Sequence, residues 1–212
     1  MIDYNADPLF WQRFLESAGF YGGKLDGDFG EQSHAAADQF EAASLKIAQD
    51  LGIFEIRTEG NIQSLQLETQ RKARRFLKDV TNQLGADGLT FKIISGTRTY
   101  AEQNDLFASG RTKPGPIVTN ARGGWSNHNF GVAWDIGVFE NGAYIPESEL
   151  YKQAGAIGKA SGLEWGGDWQ SFQDEPHFQA IPETKLTDVR MAFEAGKSFD
   201  GLMGEIPTAL VA

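Results

Sequence analysis

From Val132 to Phe139 the chain reads VAWDIGVF, and this alternation commits the segment to a β-strand with one apolar face and one face that carries a carboxylate. Val132, Trp134, Ile136 and Val138 project one way, and Ala133, Asp135 and Gly137 the other. A strand this apolar must lie in a sheet with a packed face. An aspartate held there between Ala and Gly is costly unless it meets a cation or hydrogen-bond donors, and its small neighbours leave room for one. His128 stands upstream, and Gly131 lets the chain turn between the two. The turn is needed because an odd separation on an unbroken strand would send the two side chains to opposite faces. After Pro176, HFQAI from His177 to Ile181 reads as a second short strand with His177, Gln179 and Ile181 on one face. Two adjacent strands of this kind can present His128, Asp135 and His177 to one point.

Two imidazoles and a carboxylate are the ligand set that holds a catalytic zinc while leaving a coordination position open. Asp174, three residues before His177, then has the place of a general base. The chain has 3 histidines and no cysteine, so few competing metal sites can be drawn, and disulfide staples and thiolate sites are excluded. Two histidines and a carboxylate also form the facial triad of non-haem iron oxygenases. Those sites usually set His and carboxylate two apart, unlike His128 and Asp135. A binding protein with a structural zinc is a further alternative.

The stretch Ser126-Asn127-His128-Asn129-Phe130-Gly131-Val132-Ala133-Trp134-Asp135 resembles the S-x-H-x-x-G-x-A-x-D signature of zinc D,D-carboxypeptidases and L-alanyl-D-glutamate endopeptidases, a group that includes phage endolysins. Asp174-Glu175-Pro176-His177-Phe178 is similar to that family's second motif. Ser95 to Gln103, SGTRTYAEQ, resembles its S-G-x-R-x-x-x-E-Q segment. Gly110-Arg111-Thr112 and Ile117 to Ala121, IVTNA, resemble the endopeptidase branch. The resemblance implies a zinc cofactor on His128, Asp135 and His177, Asp174 as general base, and Arg98 as the cation that steadies the carbonyl oxygen as it gains charge. Glu175 stands two before His177 rather than three, and on an extended segment it would point away from Asp174. Ser126 and Gln103 within the motifs, and Trp165 and Trp169 around the glycines of EWGGDW, are the expected substrate-binding side chains. The implied substrate is the peptidoglycan stem peptide and its glycan, cleaved between L-Ala and D-Glu. The alternatives are D-Ala-D-Ala carboxypeptidase activity on the same scaffold and a wall-binding protein without catalysis.

The expected fold class is α+β: a zinc peptidase domain over 65–212 with a small antiparallel sheet flanked by helices, preceded by a small all-α module over 1–45 and an ordered connector over 46–64. In the module, Leu9, Phe10, Phe14 and Leu15 form a helical stripe, followed by the glycine-rich turn GFYGGKLDGDFG and a helix from Glu31 with Ala35, Ala36, Phe40 and Ala43 inward. This segment resembles a peptidoglycan-binding module. His34 is expected on its solvated side. Leu67 to Leu84 predicts a helix with Arg71, Lys72, Arg74, Arg75 and Lys78 on a solvated face, and 147–160 predicts another. A last helix beyond Pro182, with Val189, Met191, Phe193 and Leu202, is expected to pack on the catalytic domain.

The formal net charge is -10, and residues 1–64 hold eleven acidic and four basic side chains. Such a surface repels polyanions, which excludes nucleic acid and anionic membranes as partners. No apolar stretch reads as an export signal or a membrane span. The expectation is a protein made in the cytoplasm that reaches the cell wall by release or non-classical export. Nothing in the sequence demands more than a monomer.

Overall fold

The structure, a computed structural model, describes residues 2–181 and 184–199. Among these residues the chain forms an α+β fold with a five-stranded antiparallel sheet and helices around it, preceded by a helical N-terminal part. The strands are β1 (Leu89–Ser95), β2 (Ala133–Glu140), β3 (Ala143–Ile145), β4 (Glu164–Trp165) and β5 (His177–Gln179). β2 is the centre. β1 runs along one edge of it, while β5 pairs with its first half, β3 with its second, and β4 adds outside β5. The register places Asp135 directly opposite His177.

Trp134, Ile136 and Val138 are fully buried on the packed face of the sheet, in one cluster with Phe76, Leu77 and Tyr151. The helices supplying that cover are α4 (Leu67–Leu84) and α6 (Glu149–Ala160). The helix expected over Leu67 to Leu84 has those bounds, but its basic residues do not all face water. Arg74 is wholly buried. Its Nη1 donates to Gly52 O at 2.9 Å and to Glu59 Oε2 at 3.0 Å, and its Nη2 pairs with Glu59 Oε1. Glu59 comes from α3 (Ile56–Gln63), which packs across α4 and β1 and so covers that side of the helix. Lys72 donates to Ala180 O at 2.9 Å, whereas Arg75 and Lys78 are exposed as expected.

The N-terminal part is built from α1 (Pro8–Ser17) and α2 (Glu31–Leu51). Pro8 enters the first turn of α1, and Asp7 caps it by accepting from Phe10 N at 3.2 Å. The loop between the helices is ordered by the buried Gln12, whose Oε1 accepts from Asp26 N and Gly27 N while its Nε2 donates to Asp28 O. The inward stripe of α2 is Ser33, Ala36, Ala37, Phe40, Ser44 and Ile47. Ala35 is exposed, one step around the helix from the position the sequence suggested, and His34 is exposed as expected. α2 continues to Leu51 and α3 follows from Ile56 to Gln63, so the stretch 46–64 is helix for most of its length.

One core joins the two ends of the chain. Phe10, Phe14 and Phe40 pack in a single cluster with Phe130, Val132, Ile181, Val189 and Phe193. The last two residues lie on α7 (Leu186–Glu194), which touches α1. Met191 faces outward on α7, at 63% exposure, rather than into the core. Leu202 lies outside the described residues. No helix among the described residues is long and apolar enough to cross a membrane.

Candidate metal centre and cleft

A one-turn 3-10 helix at Asn127–Phe130 carries His128 to the open face of β2. Gly131 ends that turn with φ 67, and a Cβ there would stand 2.7 Å from the Phe14 ring and 3.0 Å from Gln66 N. The left-handed backbone and the tight space both require glycine. The reversal turns an odd spacing into convergence. His128 Nε2 lies 3.1 Å from Asp135 Oδ1 and 3.1 Å from His177 Nδ1, and His177 Nδ1 lies 3.2 Å from Asp135 Oδ1. Among the described residues these three form a group able to hold a metal ion, with ligand atoms all within 4.8 Å of one another.

The outer ring nitrogens decide what those inner atoms are. His128 Nδ1 faces Gly96 O at 2.8 Å, and His177 Nε2 faces Gln179 Oε1 at 3.3 Å. Both partners are acceptors, so each ring can direct an N–H outward and leave its inner nitrogen to a metal. Burial pushes the His128 imidazole down to about 4, against the opposing pull of Asp135, so it is neutral near pH 7. Burial alone would raise the Asp135 carboxyl, but the facing His128 and His177 hold it well below the usual carboxylate range. With a metal ion bound, the two inner nitrogens and the carboxylate would each offer an electron pair to one point. Ligands about 2.0 to 2.1 Å from a tetrahedral zinc stand roughly 3.3 to 3.4 Å apart, close to the observed triangle. The donor set and its spacing fit zinc.

Arg98 leans on this group from the loop after β1. Its Nη2 donates to Asp135 Oδ2 at 3.1 Å and its Nη1 to Gln103 Oε1 at 3.1 Å. Burial lowers its pKa, with Asp135, Asp174 and Glu102 pulling it back up. The buried Asn129 pins the backbone here by donating to Arg98 O at 2.7 Å. Gln103 is fully buried. Its Nε2 donates to Ala121 O at 2.9 Å, so it ties Arg98 to the 119–121 loop and does not line the cleft.

The cleft has a volume of about 760 Å³, and its lining includes Arg98, Ser126, Trp169 and Asp174 beside the three convergent residues. The segment from Asp174 to His177 is a turn rather than an extended run, closed by His177 N donating to Asp174 O at 3.1 Å. That turn is why a spacing of three sets the two side chains on the same wall. Asp174 has a raised pKa, from burial first and then the Asp135 charge, with His177 and Arg98 opposing. Glu175 is absent from the cleft lining.

The two tryptophans separate. Trp169 lines the cleft, its ring 4.8 Å from that of His177 and its Nε1 donating to Glu164 Oε1 at 2.9 Å. Trp165 is buried beneath the site and donates to Glu175 O at 2.7 Å. The glycines between them serve internal packing: a Cβ at Gly167 would strike the Trp165 ring, and one at Gly166 would stand 2.5 Å from Asp174 O. Sequence reasoning missed Gln179 and Asn127 as supports. Asn127 Nδ2 donates to Gln179 Oε1 at 2.7 Å and so orients the amide toward His177. The signal available was the shared strand face of His177 and Gln179.

Residues 119–180 match the sequence profile of the D-alanyl-D-alanine carboxypeptidase family. That stretch, less than half of the chain, is similar to the family. It contains His128, Asp135, Asp174 and His177. The chain is also similar to the peptidoglycan L-alanyl-D-glutamate endopeptidase CwlK of Bacillus subtilis (strain 168), 41% identical over 105 residues, covering 45% of this chain and 63% of that relative. The match therefore spans somewhat less than two thirds of the relative's length. Among solved structures, the L-Ala D-Glu endopeptidase ChiX of Serratia marcescens aligns over 65% of this chain and 92% of its own, at 23% identity and a TM-score of 0.45.

Proposed function

We propose that the protein is a zinc-dependent peptidoglycan hydrolase that cleaves the stem peptide between L-Ala and D-Glu. The observation that carries this reading is the convergence of His128 Nε2, Asp135 Oδ1 and His177 Nδ1 beside an ionisable Asp174 in an open cleft. The similarity to an endopeptidase of that bond supports the choice of substrate.

His128, Asp135 and His177 would hold the zinc, which would supply Lewis acidity to polarise a scissile carbonyl and to lower the pKa of water toward neutral. Asp174, on the same wall as His177, accepts the proton of the attacking water at its carboxylate and passes it to the leaving amine. A base buried enough to have its pKa raised is a better proton acceptor than a solvated aspartate. Arg98 has two of its five N–H donors committed, to Asp135 and Gln103, and its charge borders the space where the carbonyl oxygen becomes negative. Ser126 and Trp169 form walls that orient the peptide. Residues 1–45 are read as the part that holds the enzyme to the wall, where it acts after leaving the cytoplasm.

The test is mass spectrometry of fragments released from purified peptidoglycan by the zinc-loaded protein. New L-Ala and D-Glu termini, absent with Asp174→Ala, are the expected result. Loss of a terminal D-Ala alone would move the protein to the second reading, the carboxypeptidase activity named in the family description. No release from any wall preparation, despite bound zinc, would refute both.

A further inference from the structure

Beyond the cleft lies a second depression of about 540 Å³ formed by Phe107, Asn120, Ala121, Arg122 and Trp125. Asn120, Ala121 and Trp125 line both, so the two are continuous. The Phe107 ring carries two guanidinium groups, Arg111 at 4.0 Å and Arg122 at 4.9 Å from its centroid. Arg111 spends its donors on Phe107 O, Thr119 O and Asn120 Oδ1, which are neutral acceptors. Arg122 is exposed and has no carboxylate partner among the described residues. In a chain with 29 acidic and 19 basic residues, these two cations on one ring have no carboxylate within ion-pair distance among the described residues, and they form a local concentration of positive charge.

The depression is also built. Arg122 O accepts from Trp125 N at 2.9 Å, Gly123 N donates to Asn104 Oδ1 at 2.9 Å, and Gly124 N donates to the buried Asn129 Oδ1 at 2.9 Å. Asn129 is the residue that also holds Arg98 O, so the turn bearing Arg122 and the loop bearing Arg98 share one anchor. Trp125, 51% exposed, stands between the two depressions with Arg190 over its ring.

We propose that Arg122, backed by Arg111 on Phe107, is a carboxylate subsite that binds an acidic residue of the peptide substrate away from the bond being cut. This rests on the hydrolase reading above and deepens it. A stem peptide bears carboxylates outside its backbone linkage, and a guanidinium stacked on Phe107 beside the cleft selects for one of them by charge-assisted hydrogen bonds.

The test uses the full chain and two synthetic stem peptides, one with its carboxylates free and one with those beyond the scissile bond converted to amides. Calorimetric titration of Asp174→Ala gives Kd without turnover, and the otherwise unchanged chain gives kcat and KM. The acidic peptide is expected to bind about tenfold more tightly than the amidated one, with the difference expressed in KM rather than kcat. Arg122→Gln is expected to abolish that preference while leaving the amidated peptide unaffected, and Arg122→Lys to restore part of it. Equal affinity for both peptides, or an equal loss for both in Arg122→Gln, would overturn the subsite while cleavage of either peptide left the hydrolase reading standing. Failure of the unsubstituted chain to bind or cut either peptide would overturn the two together.

Discussion

Removing Glu59 should destabilise the protein far more than its place on a short surface helix suggests. The Arg74 side chain is 0% exposed and that of Glu59 13%. In Glu59→Leu a fully buried guanidinium keeps Gly52 O as its one remaining acceptor among the bonds described, and Phe54 N loses the carboxylate that accepts from it at 3.1 Å. Breaking a buried pair from one side costs about 3 to 5 kcal/mol, because the survivor stays charged and dry. Arg74→Met leaves Glu59 able to reach water and keeps most of the buried stem, so its cost should be nearer 2 to 3 kcal/mol, roughly the strength of hydrogen bonds to a charged group. The double variant should lose less than Glu59→Leu alone, since no unpaired charge remains. Urea unfolding followed by tryptophan fluorescence gives all corners of the cycle. A loss below about 1 kcal/mol for Glu59→Leu with an unchanged m value would refute the reasoning. The pH dependence has a definite sign. Burial alone would raise the Glu59 carboxyl, but its bonds to Arg74 and Phe54 N hold it below its ordinary value of 4.5. Its stabilisation is therefore fully present above 4.5 and is lost as pH falls through the lower folded value, a loss that Glu59→Leu should no longer show.

Gln179→Ala should weaken zinc binding about 10- to 100-fold, because His177 Nε2 loses the acceptor that fixes its tautomer; competition with a chelating dye measures it, and unchanged affinity would dismiss the role. In the zinc-loaded enzyme, Arg98→Gln should move the acid limb of kcat/KM to higher pH. Arg98 lowers the Asp174 pKa, so its removal raises it, and the base must be ionised to act; a limb that stays put or moves down would contradict this placement. Gly131→Ala should cost more than about 1 kcal/mol through left-handed strain and contact with the Phe14 ring, read as a lower urea midpoint.

Local pattern made much of the architecture legible. The alternation of VAWDIGVF gave β2 and its faces, and the 3.6-residue period of Leu67 to Leu84 gave α4 with its bounds. What escaped depends on partners distant in sequence. Arg74 looks like its solvated neighbours until α3 folds over it. The stripe of α1 includes Trp11, which sequence reading passed over, because it packs on Tyr4 and Phe14 in a core shared with α7. At the site, residue types and spacings brought His128, Asp135, His177 and Asp174 forward as candidates. Their supports could not be read the same way. Gly96 contributes a backbone carbonyl, which no side-chain motif announces, and Gln103 and Trp165 line no part of the cleft although they sit in or near its motifs. The turn from Asp174 to His177 replaced an expected extended segment because His177 N finds Asp174 O before the chain enters β5.

The central claim is that three electron-pair donors meet to hold one zinc ion. Metal analysis after dialysis against limiting zinc tests it most directly, on the unsubstituted chain beside His128→Ala, Asp135→Ala and His177→Ala, each verified as folded by circular dichroism. The expected result is one zinc per chain in the first and close to none in each variant. Zinc retained by the folded variants, or none taken up by the unsubstituted chain, would contradict the account.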